Sequence, residues 1–479
     1  MRVRVLLALL VGMLLSGDVA TAQERPNILF IYLDDFGWRD AGFMGSDFYE
    51  TPHLDRLAVE GMIFTSAYSC AANCAPARAS LLSGQYTPRH RVFNVGTRPR
   101  GKAKYRRLEP IQGTDTLDPK IRTWAHHLQD AGYATALIGK WHLSDDPRPY
   151  GFDLNVGGTK SGSPPGGYYP PHVGAPGLKH APENEYLTDR LTDEAIDFVR
   201  AQRDQPWMVY LSHFAVHTPL DAKQQLVQKY RQKPAGKLHR HVAMATMIQA
   251  VDDGVGRLRQ ELEELGLLKN TAIIFCSDNG GFGPATDMAP LKGYKGTYYE
   301  GGIRIPFFVR WPEVVPSDTR SDEPITGVDL YPTLCAIAGI RLPSEQKLDG
   351  ESLLPLFQGR ERSGPTRALF WHFPCYLQSY AVWGEQRDPL FRTRPCSVVR
   401  LGDWKLHEFF EDGTVELYNL REDLGETTDL QSRFPAKRDE LLDRLRGWRQ
   451  DLDAPVPRKE NSKYDAAAEA AAILKKRQR

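Results

Sequence analysis

A cysteine, a proline and an arginine stand close together in the segment NCAPARASLLSG, residues 73–84. Pro76 suits the first turn of a helix and Gly84 suits its end, so we expect Cys74 at or beside the helix N-terminus. Free backbone N–H groups and the helix dipole favour an anion there. Arg78 follows Cys74 by four residues and should project from the same face of the helix. The segment therefore predicts a cysteine-derived nucleophile beside a site for an oxyanion.

Acidic and amide side chains follow two predicted buried strands. Asp34 and Asp35 come directly after the apolar run NILFIYL. Asp278 and Asn279 come directly after the run TAIIFCS. Clustered carboxylates repel one another unless a cation lies between them, and oxygen ligands favour a hard ion, calcium or magnesium, over zinc or copper. The pattern predicts a divalent metal site.

Lysines and histidines are expected near the same site. Lys140 and His142 follow the predicted strand YATALIG. His217 lies in FAVHTP, and Lys295 lies in the glycine-rich segment KGYKGTYYEGG. Positive charge around a metal ion suits a multiply charged oxyanion such as sulfate or phosphate.

Alternating apolar runs and amphipathic helices must position these side chains. Predicted helices near residues 51–61, 121–130, 187–198 and 244–265 alternate with the strands NILFIYL, YATALIG, WMVYLSHF and TAIIFCS. This order predicts an α/β fold with a large mixed, mostly parallel sheet flanked by helices on both faces. Ligands gather at the carboxyl ends of the strands of such sheets.

After about residue 354 the pattern changes to antiparallel strands, SVVRLGDWKLHEFF and GTVELYNL, followed by an amphipathic helix. We therefore predict a smaller C-terminal antiparallel sheet plus helix. The predicted boundaries are 1–22 for a signal peptide, 23–355 for a catalytic domain, 356–455 for a C-terminal subdomain and 456–479 for a basic, solvated tail.

The N-terminus and the charge balance restrict location and partners. Residues 1–22 combine two arginines, an apolar run and the small residues ATA, and the run is shorter than the ~20 residues that span a bilayer. We predict an exported protein, periplasmic or extracellular, without stable membrane insertion. With 61 basic and 60 acidic side chains, the formal charge of +1 gives no indication of a nucleic-acid partner.

Export permits disulfides, so each cysteine needs an interpretation. Cys276 and Cys335 lie in apolar runs and are predicted to be buried, inert thiols. Cys70 lies four residues before the cysteine of CAPAR, which gives only a weak zinc signal because no second ligand pair accompanies it. Cys375 and Cys396 flank a loop-rich segment, and their spacing leaves a disulfide between them open.

A cysteine-dependent phosphatase is one interpretation of the helix start, because a thiolate at a helix N-terminus is an activated nucleophile. Such a site surrounds phosphate with successive backbone N–H groups. Here Pro76 removes one of them, and only three residues separate Cys74 from Arg78. We therefore disfavour this interpretation.

Five segments occur in the order NILFIYLDD, CAPAR, GYATALIGKWH, CSDNGG and KGTYYEGGIRIP. They resemble the formylglycine-dependent sulfatases of the alkaline-phosphatase-like superfamily, and CAPAR matches that family's Cys-x-Pro-x-Arg modification motif. The similarity runs from about residue 26 to residue 310, and more loosely through GDWKL and ELYNL. It implies the alkaline-phosphatase-like fold and hydrolysis of sulfate esters.

The resemblance also implies a mechanism. A formylglycine-generating enzyme would oxidise Cys74 to formylglycine, whose hydrate carries two geminal hydroxyls. One hydroxyl attacks the sulfur of the ester and expels the alcohol, and the other helps to eliminate inorganic sulfate.

Individual roles follow from the motif match. The implied ligands of the divalent ion, Ca²⁺ before Mg²⁺, are Asp34, Asp35, Asp278, Asn279 and the modified Cys74. Arg78 and Lys140 would steady the formylglycine hydrate, and His142 would assist sulfate release. His217 and Lys295 would contact the sulfate, and which of the two protonates the leaving oxygen stays open.

The substrate pocket is assigned from aromatic residues beside histidines. Tyr168, Tyr169 and His172 lie in SGSPPGGYYPPH, and Trp371 and His372 lie in LFWHFPCY. Aromatic rings suit stacking on a sugar and histidines suit hydrogen bonds to its hydroxyls, although ordinary packing explains the same residues equally well. We predict a sulfated glycan as substrate, with a simple aryl sulfate as the alternative.

Two other functions stay open at this point. A phosphonate or phosphodiester hydrolase of the same superfamily can share the modified cysteine, and a preference for an aryl phosphodiester over an aryl sulfate would identify it. A non-catalytic protein that binds sulfated glycans would keep an intact thiol at Cys74 and show affinity without turnover.

Overall fold

The computed structural model describes residues 25–178, 182–342, 347–362, 364–380 and 387–478. The signal peptide predicted for residues 1–22 lies outside the described residues and stays a prediction. Within the described ranges, none of the helices has the length and apolar character needed to cross a bilayer.

The described residues form two main sheets and two short strand pairs. The strands are β1 Asn27–Leu33, β2 Met62–Phe64, β3 Ala67–Tyr68, β4 Ala134–Gly139, β5 Leu154–Val156, β6 Trp207–Ser212, β7 Thr271–Ser277, β8 Phe307–Arg310, β9 Thr319–Ser321, β10 Ile325–Thr326, β11 Ala368–Phe373, β12 Leu377–Gln378, β13 Phe391–Thr393, β14 Cys396–Leu401, β15 Trp404–Phe409 and β16 Val415–Asn419.

The large sheet has the strand order β5-β4-β6-β1-β7-β8-β2-β9. Its strands from β5 to β7 run parallel, and β8 runs antiparallel to both of its neighbours. All seven residues of the central β1 are buried. Leu29 and Ile31 pack into the core on one face, and Ile28 and Phe30 pack into the core on the other. The uninterrupted apolar run of β1 is explained by this two-sided burial.

Helices cover both faces of this sheet, which confirms the predicted fold class. Side chains of α1, α5 and α7 belong to one core, and those of α2, α4 and α9 belong to the other. The helices are α1 Pro52–Val59, α2 Cys74–Ser83, α3 Thr87–His90, α4 Trp124–Asp130, α5 Leu187–Ala201, α6 Gln224–Gln232, α7 Val242–Glu264, α8 Glu300–Ile303, α9 Leu330–Ile337, α10 Leu354–Phe357, α11 Pro435–Asp451 and α12 Ala466–Arg477.

The smaller sheet is antiparallel, in the order β11-β14-β15-β16, as predicted for the C-terminal part. The helix α11 packs on one face of it, where Leu441 and Leu445 share a core with Val399, Leu406 and Leu417. The sequence pattern identified β14 to β16 but not β11, whose residues were assigned to a substrate pocket.

The C-terminal tail is not simply solvated. Asn461 donates from Nδ2 to the carbonyl oxygens of Ala103 and Arg106, each at 2.8 Å. Glu469 of α12 pairs with Arg394 at 2.5 Å. The tail therefore contacts the loop around residues 103–109 and Arg394, which follows β13, while no residue of its helix α12 is buried.

All six cysteines are buried and free. Cys276 and Cys335 belong to the core of the large sheet, as predicted. Cys375 and Cys396 both belong to the core beneath the small sheet, and the structure holds them as separate thiols. The Sγ of Cys375 instead donates to the carbonyl oxygen of Ile111 at 3.3 Å.

Candidate active site

The two acidic strand ends meet at one edge of the large sheet. Strands β1 and β7 are parallel neighbours in which Leu33 pairs with Ser277, so the residues that follow them emerge side by side. The backbone N–H of Asp35 donates to Asp278 Oδ1 at 3.2 Å. Asp35 has a φ of 61°, a left-handed conformation that costs free energy in a non-glycine residue and is typical of functional sites.

A divalent cation fits this cluster. One potential ligand atom from each of Asp34, Asp35, Cys74 and Asp278 lies within 4.8 Å of the others. Asp34 Oδ1 and Asn279 Oδ1 are buried acceptors without a hydrogen-bond partner among the described residues. The amide nitrogen of Asn279 donates to Asp35 Oδ1 at 2.8 Å. Because unpartnered buried acceptors are costly, the two free oxygens favour a cation as their partner.

The helix α2 carries Cys74 into this cluster. Cys74 is the first residue of α2, Asn73 is its N-cap, and Gly84 ends it with a φ of 66°. The sequence-based prediction for the helix is therefore confirmed at both ends. Burial, with the charge of Asp34 adding to it, raises the pKa of the Cys74 thiol to about 12. A neutral thiol is a poor nucleophile, so the unmodified side chain does not favour thiolate chemistry of the phosphatase kind.

Arg78 binds an acidic residue of the cluster directly. Its Nε and Nη2 donate to Asp278 Oδ2 at 3.1 and 2.9 Å. Its Nη1 donates to Ser212 Oγ at 2.6 Å and to the carbonyl oxygen of Lys140 at 3.2 Å. The guanidinium also lies over the ring of Tyr32, 5.0 Å from its centroid. Asp278 and Ser212 thus hold the guanidinium, and sequence reasoning identified Asp278 but missed Ser212.

Each of the two lysines pairs with one of the adjacent aspartates. Lys140 Nζ lies 2.5 Å from Asp34 Oδ2, and both side chains are completely buried. Lys295 Nζ lies 2.6 and 2.7 Å from the two carboxylate oxygens of Asp35. Burial alone raises the pKa of Asp35, but the charges of Lys295, His217 and Lys140 outweigh it and lower that pKa. Asp35 is therefore held as a carboxylate, as a metal ligand must be.

The two predicted histidines lie close enough to Lys140 and Lys295 for those charges to act on their pKa values. His217 Nε2 lies 4.0 Å from Asp35 Oδ2, and its Nδ1 bonds the carbonyl oxygen of Thr218 at 2.6 Å. Burial, followed by the charges of Lys295 and Lys140, lowers the pKa of His217 to about 3. Burial and the charge of Lys140 likewise lower the pKa of His142. Both imidazoles are therefore neutral near pH 7, and the positive side chains of the site are Arg78, Lys140 and Lys295.

The predicted substrate residues divide into two groups. The Tyr168 hydroxyl donates to the carbonyl oxygens of Phe214 and His217 at 2.8 and 2.9 Å, so its loop borders the site. Tyr168 itself is fully buried and acts in packing. The Tyr169 hydroxyl donates to the carbonyl oxygen of Ala222 at 3.3 Å. His172, on the same loop, stays a prediction.

Trp371 and His372 are buried, and their place in a substrate pocket stays a prediction. Both are about 1% exposed. Trp371 Nε1 donates to the carbonyl oxygen of Ser69 at 2.8 Å. His372 bonds Ser397 Oγ at 2.7 Å and the carbonyl oxygen of Pro455 at 3.0 Å. Both lie in the strand β11, whose faces are covered, so ordinary packing explains them.

Comparison with known proteins agrees with the site. Residues 26–340 match the Sulfatase family, and residues 294–450 match the family described as N-sulphoglucosamine sulphohydrolase, C-terminal. A Formosa agariphila protein named Sulfatase is 32% identical, over 93% of this chain and 94% of its own length. Human N-acetylgalactosamine-6-sulfatase is 32% identical, over 72% of this chain and 68% of its own length.

A solved structure, described as Ps i-CgsB in complex with k-i-k-neocarrahexaose, has the same fold. It superposes with a TM-score of 0.73 at 26% identity, over 94% of this chain and 97% of its own. The family resemblance found in the five sequence segments is thereby confirmed. The chain belongs to the sulfatase family of the alkaline-phosphatase-like superfamily and is a sulfuric ester hydrolase.

Proposed function

We propose that the protein hydrolyses a sulfate ester on a carbohydrate, with a formylglycine formed from Cys74 and a bound divalent cation. The observation that carries this proposal is the convergence of Cys74, at the start of α2, with three carboxylates whose ligand atoms lie within 4.8 Å of one another. Two buried lysines border the same cluster. Two similar proteins support a sugar substrate. The name of one includes N-acetylgalactosamine, and the description of the other's structure includes neocarrahexaose.

Asp34, Asp35, Asp278 and Asn279 would hold the cation together with the modified Cys74. We propose Ca²⁺ rather than Mg²⁺, because Ca²⁺ accepts six to eight oxygen ligands in flexible geometry. When bound, the cation would neutralise the carboxylates and polarise the sulfate. The hydrate of formylglycine would supply the nucleophilic hydroxyl, and a formylglycine-generating enzyme would be the partner in maturation.

The remaining polar side chains would orient the reacting groups. Arg78 and Lys140 fix the positions of Asp278 and Asp34 and would face the hydrate. Lys295 and His217 both face Asp35, so we assign them to the sulfate and the leaving oxygen. His142 would assist the release of sulfate. Comparing the pH–rate profiles of Lys295→Arg and His217→Gln would identify which of the two carries the proton.

Location and domain boundaries belong to the same proposal. We infer an exported protein, periplasmic or extracellular, with a signal peptide over residues 1–22. The catalytic domain would span 23–355, the C-terminal subdomain 356–455 and the tail 456–479. Neither a nucleic-acid partner nor stable membrane insertion is part of the proposed function.

Peptide mass mapping across Cys74, in protein from the native host, tests the modification. Formylglycine in that peptide, with hydrolysis of 4-nitrophenyl sulfate that Cys74→Ala abolishes, is the expected result. An intact thiol together with affinity for a sulfated glycan and no turnover would instead identify a binding protein. A clear preference for an aryl phosphodiester over the aryl sulfate would identify a phosphodiester hydrolase.

A further inference from the structure

Ten consecutive residues, RPRGKAKYRR at 98–107, contain six basic side chains and no acidic one. The whole chain has a formal charge of only +1, so this loop is a local concentration of positive charge. The proposed catalytic role uses none of these residues.

Three of the six basic side chains line a cavity of about 350 Å³. Arg98, Arg100 and Arg106 come from the loop, and Lys463 comes from the C-terminal tail. The cavity is large enough for a sugar unit. The tail is fixed against the loop by backbone hydrogen bonds, such as Asn461 N–H to the carbonyl oxygen of Arg107 at 2.9 Å. The folded tail therefore completes the cavity.

The positive charges in this cavity are not neutralised by the protein. None of its four cationic side chains forms an ion pair with a described residue, and Glu109, the acidic residue of the lining, pairs with Lys459 at 2.9 Å. Arg106 Nε is buried and has no hydrogen-bond partner among the described residues. Burial lowers the pKa of Arg106, and no carboxylate opposes that effect. An anion would supply the missing partner.

One hydrogen bond links the lining of the cavity to the residue before Cys74. Asn94 lines it, and Asn94 Oδ1 accepts a hydrogen bond from Asn73 Nδ2 at 3.1 Å. Asn73 is the residue directly before Cys74. Neutral polar residues of the lining, among them Thr97 and Gln112, suit the hydroxyls of a sugar. Asn94 and Asn73, which are in direct contact, thus connect the wall of the cavity to Cys74.

We propose that this cationic cavity binds a second anionic group of the substrate, either a further sulfate or a carboxylate, on a sugar adjacent to the one that is hydrolysed. The inference rests on the proposed function and narrows the substrate to a polyanionic glycan. It also gives the C-terminal tail a role in substrate binding.

Two matched double variants test the proposal. Arg98→Ala/Lys463→Ala removes two exposed charges of the cavity, whereas Lys102→Ala/Lys104→Ala removes two charges of the same loop that do not line it. The kcat/KM is measured on 4-nitrophenyl sulfate, which has one anionic group, and on sulfated disaccharides whose second anionic group is a sulfate or a uronate carboxylate. Thermal melting of each variant verifies folding.

For the wild type we expect a higher kcat/KM on a disaccharide with two anionic groups than on the same sugar with one. The cavity variant should lower the ratio of kcat/KM for the disaccharide to that for 4-nitrophenyl sulfate by about tenfold, and less at high salt. The control variant should leave both values unchanged. The disaccharide whose kcat/KM falls in the cavity variant shows whether the second anionic group is a sulfate or a carboxylate.

Equal effects of the two double variants, no effect of the cavity variant, or no preference of the wild type for two anionic groups would each overturn the proposal. Hydrolysis of 4-nitrophenyl sulfate by the wild type tests the proposed function separately. If the wild type does not hydrolyse 4-nitrophenyl sulfate, the proposed sulfatase mechanism is contradicted. If it does, any of those three results contradicts only the proposed role of the cavity.

Discussion

Lys405 of β15 is a buried cation between two carboxylates, at the contact of the small sheet with the segment that carries Lys295. Its Nζ lies 2.9 Å from Glu300 Oε1 and 2.9 Å from Glu426 Oε1, and all three side chains are 0% exposed. Glu300 also accepts hydrogen bonds from the Tyr68 hydroxyl at 2.6 Å and from Arg304 at 3.0 Å. Removing Lys405 would leave the Glu300 and Glu426 carboxylates in the interior without the cation that lies between them.

The substitution Lys405→Met keeps much of the side-chain length and removes only the charge. Because one member of a buried ion network is lost while its partners stay, we expect the free energy of unfolding to fall by about 3–5 kcal/mol. The control is Arg56→Ala, which breaks a pair between the 59% exposed Arg56 and Glu60. The free energy of unfolding of Arg56→Ala should fall by less than about 1 kcal/mol. Urea unfolding followed by tryptophan fluorescence measures both.

The pH dependence supplies a second readout. Burial raises the pKa of Glu300, but the charges of Lys405, Arg304 and Arg400 outweigh it and lower that pKa to about 2. This stabilisation is present above the ordinary pKa of a glutamate and is lost as the pH falls toward 2. The loss in free energy of unfolding caused by Lys405→Met should therefore be largest near pH 7 and smaller near pH 4. A loss in free energy of unfolding no larger than that of Arg56→Ala, or one that does not change with pH, would show that Lys405 does not stabilise the buried carboxylates.

Three further predictions concern the site and the core. Arg78→Lys keeps the charge but loses the forked hydrogen bonds to Asp278, so kcat/KM for 4-nitrophenyl sulfate should fall by about tenfold to a hundredfold, and an unchanged value would contradict the role of that fork. Chelation with EDTA should abolish hydrolysis and lower the melting temperature, and added Ca²⁺ should restore both; unchanged melting would argue against the cation site. Burial raises the pKa of Asp252 to about 7, so its contribution to stability is lost as the pH rises through 7. The melting temperature of Asp252→Asn, relative to wild type, should therefore increase between pH 5 and 8, and a constant difference would contradict the shift.

The positions of the chemical groups along the chain could be predicted because local patterns determine them. Pro76 and Gly84 indicated the helix that begins at Cys74, and the apolar runs indicated strands that end at Asp34 and at Asp278. Parallel strands of one sheet share an edge at their carboxyl ends, so the meeting of these ends followed from the same patterns.

The sequence by itself thus determined the alternation of the main strands and helices, the candidate residues of the site and the family to which the chain belongs. The tertiary structure decided which lysine pairs with which aspartate, the burial of Trp371 and His372, and the folding of the tail over the cationic loop. The physical reason is that periodicity records only whether a side chain is buried. Its partner is a residue from a distant part of the chain, and packing alone brings the two together.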